Sequence, residues 1–183
     1  MNNLTFELIE EFRLEESTKN QISDLLKLSF LEVEFHNRTY FKQLPQYRLL
    51  LKNKEELIGQ LGLDYRVMTL NAKPIRVIGI IDFAVFPTHQ GKGYGTKLLN
   101  KLDAIAKEHI NNIDFLFLVT DNPKIYQKNG YRLSDQKVKW LAIDQHVNYG
   151  LYEKELLDCL MYKPIGQQQW DNNGHLDLLG YLY

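Results

Sequence analysis

The chain has 183 residues, is 44% hydrophobic and 12% aromatic, and carries a formal net charge of -1. That composition excludes a disordered chain and predicts one domain over residues 1–183. The near-neutral charge argues against a strong electrostatic nucleic-acid binder, and the single cysteine, Cys159, excludes an intrachain disulfide and reads as a small core residue.

The opening Met1-Asn-Asn-Leu-Thr-Phe-Glu7 contains no basic segment followed by an apolar stretch, and the longest apolar runs are strand-sized. The expectation is therefore a soluble, cytoplasmic protein with no membrane partner. Leu4, Phe6 and Leu8 alternate with polar positions and predict a half-buried first strand. Ser17 or Thr18 is the expected cap of a helix that carries Ile22, Leu25, Leu26 and Leu28 to Phe30 at helical spacing. Residues 31–43 are acidic at Glu32 and Glu34, then aromatic at Phe35, Tyr40 and Phe41, which fits a short second helix or an ordered loop.

Tyr47 to Leu51 reads as a strand, Asn53-Lys54 as a turn, and Leu57 to Leu70 as a long extended segment interrupted at Asn71-Ala-Lys-Pro74. Ile75 to Phe86 is the most β-branched and apolar run, which predicts a central strand. The three together predict an antiparallel meander. Pro87 ends it, since proline donates no ladder bond. A helix follows the glycines, with Leu98, Leu99, Leu102, Ile105 and Ala106 on one face. Asp114 to Val119 predicts a buried strand, and Asn122 to Lys128 a short helix stopped at Asn129-Gly130. Tyr131 to Ile143 is mainly strand, residues 144–155 a connection, and Leu156 to Lys163 the last strand. The tail, residues 164–183, is rich in Gln, Asn and Gly, yet Trp170, Leu176, Leu178 and Tyr181 are spaced to pack on the body.

A strand that ends in a glycine-rich turn and enters a helix is built to hold a phosphate. The first N–H groups of a helix lack intrahelical acceptors, and the helix dipole adds positive charge there. Glycines at 91, 93 and 95 allow close backbone approach and positive φ. A structural turn would show the same bare spacing. Two rival phosphate motifs are absent: no Gly-Lys-Ser/Thr follows a four-residue gap, and position 96, where the dinucleotide fingerprint wants glycine, is Thr.

Phe83-Ala-Val85-Phe-Pro87 followed by Gln90-Gly-Lys-Gly93-Tyr-Gly95 resembles the signature of the GCN5-related N-acetyltransferase superfamily. A second family motif is resembled by Phe115 to Val119 and then Ile125-Tyr126-Gln-Lys-Asn-Gly130-Tyr131. The resemblance covers about residues 55–135. It implies the acyl-CoA N-acyltransferase fold: an α+β, three-layer α/β sandwich, with a mixed, mostly antiparallel sheet of about six to seven strands and helices on both faces. It implies an N-acyltransferase using acetyl-CoA as donor. His36, His89, His109, His146 and His175 show no metal-ligand spacing, so no metal is expected.

By the same resemblance, the backbone of Gln90, Gly91, Lys92, Gly93, Tyr94 and Gly95 would hold the pyrophosphate. Phe83, Ala84 and Val85 would pair with the pantetheine arm, with the Val85 N–H at the thioester oxygen. Lys92 is either a phosphate contact or a solvated loop lysine. Tyr126 matches the family tyrosine that protonates the leaving thiolate; the alternative is a packed aromatic. Asp82 is either the base or ammonium anchor, or a structural carboxylate, because a carboxylate within this apolar strand must be paired or face a wet cleft. Asn122 matches a family asparagine on the pantetheine arm, but it stands four residues before Tyr126 instead of seven, and Pro123 intervenes.

The expected acceptor is a small-molecule amine, with an amino sugar as one candidate. A protein-amine acetyltransferase and a non-catalytic acyl-CoA-binding module are the alternatives. Acidic candidates for the acceptor are Glu32, Glu34, Asp64, Asp144 and Glu153, each with a solvated surface charge as the plainer alternative. The tail Trp170-x-x-x-Gly174-x-Leu-Asp177-x-x-Gly180 is similar to those of aminoglycoside 2′-N-acetyltransferases and nodulation N-acyltransferases, which would bring Trp170, Asp177 or the Tyr183 carboxylate to the acceptor. Homodimers are common in the superfamily, so a homodimer is an assembly the resemblance allows.

Overall fold

The computed structural model describes residues 4–183. It divides into two compact units: the residues up to Asp64 with Ile80–Asp103, and Tyr65–Gly79 with Ala104–Tyr183. Two long strands, β3 (Glu56–Leu70) and β4 (Lys73–Val85), contribute residues to both.

In the first unit β1 (Leu4–Glu10) pairs antiparallel with β2 (Tyr47–Asn53), from Leu4↔Asn53 to Glu10↔Tyr47. β2 pairs antiparallel with β3, from Tyr47↔Leu63 to Asn53↔Glu56, with a register shift between Leu51 and Lys52. Helix α1 (Glu16–Ser29) starts one to two residues before the expected serine or threonine cap; its N-cap is Glu15, and no side chain caps it. What holds this end instead is packing. Ile22, Leu25 and Leu26 are fully enclosed with Leu14, Phe35, Leu50, Leu57 and Ala84, and Gln21 Oε1 accepts the Leu57 N–H at 2.7 Å. Residues 31–46 form turns and bends with no second helix. Phe35 anchors that segment, 2% exposed, between Phe30 and Phe41.

In the second unit the strand order is β6 (Arg132–Leu133), β9 (Leu160–Pro164), β5 (Phe115–Val119), β4, β3, β10 (Leu176–Tyr181), β7 (Gln136–Asp144) and β8 (Val147–Leu156). Asn71 and Ala72, at φ 52° and 60°, make the tight turn from β3 to β4, and Gln145 and His146, at φ 44° and 63°, the turn from β7 to β8. Two positive φ values in a two-residue loop match the right-handed twist of the strands they join. Ten strands among the described residues exceed the six to seven expected. The 144–155 connection is largely β8, and the tail supplies β10, antiparallel to β3 (Leu176↔Leu70) and parallel to β7 (Leu176↔Val138). The core of this unit gathers Met68, Leu70, Ile75, Val77, Phe115, Phe117, Val138, Leu160, Leu176 and Leu178. Among the described residues no helix is long and apolar enough to cross a membrane.

Candidate active site

The first unit brings together most of the residues expected at the acyl donor. At the end of β4, Phe86 N–H donates to the Ile58 carbonyl at 2.9 Å. Backbone groups alternate sides along a strand, so those of Val85 point away from β3. Its carbonyl accepts Gln90 Nε2 at 3.0 Å. Ala84 is buried against α1, while Phe83 and Val85 keep partial exposure. Gly59 explains how tightly the strands meet here: a Cβ on it would lie 2.8 Å from the Ala84 carbonyl oxygen.

Past Pro87 a single 3-10 turn (Pro87–His89) leads to the glycines, and α2 (Tyr94–Glu108) begins directly after Gly93. Gly91 and Gly93 have φ of 73° and 79°, and a Cβ on either would meet no atom within 4 Å. The left-handed backbone, not crowding, therefore requires glycine. The space above both is open to a bound anion, next to the free N–H groups of the first helical turn. Lys92 Nζ donates to the Thr88 carbonyl at 2.9 Å, which closes the loop on itself. Tyr94 meets His89 edge-on at 5.9 Å. Gly95 lies in the first turn of α2. These residues fit a pyrophosphate.

Asp82 interrupts β4 three residues before Val85, with φ 49°. For a non-glycine residue this left-handed backbone is uncommon, and in mid-strand it turns the side chain out of the regular alternation. The carboxyl accepts the Phe41 backbone N–H. Its Oδ2 is shut off from solvent without a hydrogen-bond partner. Burial pushes the Asp82 carboxyl up to about 6, and Glu11 adds to that, while Arg48, the Phe41 N–H and Lys42 oppose it.

Beneath Asp82 lies a buried polar chain. Arg48 is 0% exposed. Its Nε donates to Glu11 Oε2 at 2.6 Å, its Nη1 to Gln60 Oε1 at 2.8 Å, and its Nη2 to the Thr39 carbonyl at 2.5 Å. Thr39 Oγ1 donates to Glu11 Oε1 at 3.0 Å. Gln60 Nε2 then donates to the Asp82 backbone carbonyl. Arg48, Glu11 and Gln60 were not singled out from sequence. Next to Glu11 a cavity of about 680 Å³ opens between residues 10–20 and 37–47, with Glu10, Glu11, Glu16, Arg38 and Tyr40 among its lining residues. Its volume is that of a small-molecule site. Glu34 does not line this cavity; it is exposed and 3.4 Å from His36 Nε2.

The remaining expected residues belong to the second unit. Tyr126 sits in α3 (Lys124–Lys128) and is 7% exposed, edge-on to Tyr131 at 5.7 Å. Burial raises its hydroxyl pKa far above the ordinary tyrosine value. Asn122 is exposed, and its backbone N–H donates to Thr120 Oγ1 at 3.1 Å. Tyr183 packs on Phe117 at 5.6 Å, beside the parallel pairing of Gly79 with Phe117. Trp170 stacks on Tyr162 at 4.3 Å and donates Nε1–H to Ser134 Oγ at 3.0 Å. Asp177 pairs with Lys139 at 3.1 Å. Trp170 and Asp177 are thus held in strand packing.

Comparison with known proteins agrees with this geometry. A family model described as an acetyltransferase (GNAT) domain matches residues 12–134, more than half of the chain. The chain is 22% identical over 165 residues to the uncharacterized N-acetyltransferase MJ1207 of Methanocaldococcus jannaschii, covering 78% of this chain and 70% of that protein. The GNAT family N-acetyltransferase YhbS of Escherichia coli, solved in complex with CoA, superposes with a TM-score of 0.61 at 12% identity, over 97% of this chain and 91% of that one. A GCN5-related N-acetyltransferase from Anabaena variabilis gives a TM-score of 0.61 at 15% identity over 74% of this chain. The present chain spans only 34% of that longer protein. With the glycine loop, the strand that precedes it and a matching family model on the same residues, this chain belongs to the GNAT acetyltransferase family and has its acyl-CoA N-acyltransferase α+β fold.

Proposed function

We propose that this protein is an acetyl-CoA-dependent N-acetyltransferase that moves the acetyl group directly to a primary amine of a small molecule, with an amino sugar as the first candidate. The observation that carries the donor half is the left-handed pair Gly91 and Gly93 at the start of α2, with open space above both. The backbone of residues 90–95 would bind the pyrophosphate. Phe83, Ala84 and Val85 would pair with the pantetheine arm, and Asn122 is carried only as a weaker contact on it. Acetyl-CoA supplies the activated thioester. The Val85 N–H, turned away from β3, would steady the negative charge on its oxygen.

Two proton tasks fall to this chain's own residues. An amine with a pKa of about 10.4 must lose a proton before it attacks. Asp82, at about 6, is ionised at neutral pH and would take that proton, directly or through a water. Tyr126, protonated at neutral pH as an ordinary tyrosine is, would give its proton to the departing sulfur. The cavity of the first unit has the volume of a small-molecule site, which supports a small acceptor; the carboxylates on its wall are already paired, Glu10 with Arg13, Glu11 with Arg48 and Glu16 with Lys19. Glu34 and Tyr183 remain candidates for acceptor contacts.

A thiol-release assay over glucosamine, kanamycin, spermidine and a lysine-containing peptide tests this reading. Turnover on the small amines above that on the peptide is expected. Turnover on the peptide alone would make it a protein-amine acetyltransferase, and CoA binding without turnover on any would make it a binding module.

A further inference from the structure

Asp82 has a backbone conformation that a strand residue does not adopt unaided. A left-handed non-glycine residue persists only where its surroundings over-determine it. Here the surroundings are specific. The Gln60 amide donates to the Asp82 carbonyl with Nε2 and accepts Arg48 Nη1 with Oε1. Arg48 is in turn held by Glu11 and by the Thr39 carbonyl. Arg48 and Gln60 are both 0% exposed. A buried ion pair is weak as a source of stability, because desolvation offsets its attraction. A chain of this kind has its clearest effect as a fixed frame for the group at its end, and that group is Asp82.

We propose that Gln60 and Arg48 are positioning residues for Asp82: through the Gln60 amide they hold the left-handed bulge that keeps the Asp82 carboxyl enclosed beside Phe41. Neither touches the reacting atoms. Arg48 orients Gln60, and Gln60 clamps the carbonyl at the bulge. The charged groups facing Asp82 are Arg48 on β2, Glu11 in the 3-10 turn after β1, and Lys42 in the loop after Phe41. The Glu11–Arg48 pair is neutral as a unit, so the enclosure of the carboxyl dominates its acidity. If the clamp is cut, Asp82 relaxes to extended backbone, the Oδ2 that is now shut off from solvent gains water, and the acidity of the carboxyl returns toward that of an ordinary aspartate. The catalytic meaning of this rests on the reading of Asp82 as the acceptor base; the positioning itself does not.

The test is a carbon-13 NMR titration of the Asp82 carboxyl in the full chain, in wild type, Gln60→Leu and Gln60→Asn. Leucine removes the amide; asparagine keeps a polar side chain that is too short to bridge Arg48 and Asp82. In both variants the midpoint is expected to fall by about one pH unit or more, while the Kd for acetyl-CoA stays within about twofold. Should the leucine variant fail to fold, the asparagine variant decides. Folded variants whose Asp82 midpoint stays at the wild-type value would overturn the proposal and leave the polar chain a purely structural one. The pH profile of kcat/KM with kanamycin separates the two readings. An acid limb that moves with the Asp82 midpoint supports both. A moved midpoint with an unmoved limb keeps the positioning role and removes Asp82 as base.

Discussion

Tyr183 lies across Gly79 so closely that a Cβ built on that glycine would overlap the tyrosine ring at Cζ. The ring is also held by Arg66, whose guanidinium is 4.1 Å from the ring centroid and whose Nε donates to the Tyr183 hydroxyl at 2.6 Å. Gly79 is therefore required by its neighbour. Gly79→Ala is expected to destabilise the chain by about 1–3 kcal/mol through overpacking. In a Tyr183→Ala background the same substitution should cost much less. Urea denaturation of the four members of that cycle measures the coupling, and additive effects would refute the contact.

Stability should depend on pH through Asp82. In the folded chain its carboxyl holds a proton up to about 6, whereas an unfolded aspartate releases it near about 3.9. Between those values the folded state binds more protons, so stability falls as pH rises through the window. Asp82→Asn is expected to stabilise the chain by about 1–3 kcal/mol at pH 7.5 and by little at pH 4. Denaturation at the two pH values checks this; an equal effect at both would mean that the charge is not responsible.

Arg48 and Glu11 should show the asymmetry of a buried ion pair. Arg48→Met leaves the Glu11 carboxylate buried without its guanidinium partner and is expected to cost about 3–5 kcal/mol. The double variant Arg48→Met with Glu11→Gln should recover part of that loss. Chemical denaturation of the single and double variants reads it, and a double variant as unstable as the sum of the singles would contradict the pairing.

Tyr126→Phe removes one oxygen from a buried ring. If the hydroxyl protonates the leaving thiolate, kcat should fall by about 10²–10⁴-fold, with acetyl-CoA affinity nearly unchanged. Steady-state kinetics with calorimetry distinguishes this from a packing role, in which kcat would hold and the melting temperature would fall.

The strand and glycine loop that carry the expected donor residues were legible in the sequence because their physics is local. The β-branched run Ile75 to Phe86 announces its own strand, and positive φ at Gly91 and Gly93 leaves the mark of glycine in the chain. β8 was missed because Val147 to Glu155 are all exposed: Val147, Tyr149 and Leu151 alternate with other residues, but Gly150 and the charged run Glu153-Lys-Glu155 make the segment read as a solvated connection. β10 was hidden by its Gln- and Asn-rich approach; its place depends on pairing with Leu70 and Val138, far away in sequence. The helix cap was misplaced because packing by Ile22, Leu25 and Leu26, not a serine or threonine side chain, sets where α1 begins. Arg48 gave no signal at all. In Tyr47-Arg-Leu-Leu it reads as the outward polar residue of a strand, and only the fold brings Glu11 and Gln60 to it.

On the proposed reading, the loop from Gln90 to Gly95 binds the pyrophosphate of acetyl-CoA through its backbone. Isothermal titration calorimetry of CoA against the full chain and against Gly93→Val tests it most directly, with circular dichroism to confirm that the variant is folded. A saturable one-to-one interaction is expected for the wild type, weakened by about tenfold or more in the variant, because a β-branched residue strains the left-handed backbone that presents the N–H groups. Absence of binding to the wild type, or equal affinity in a folded variant, would contradict it.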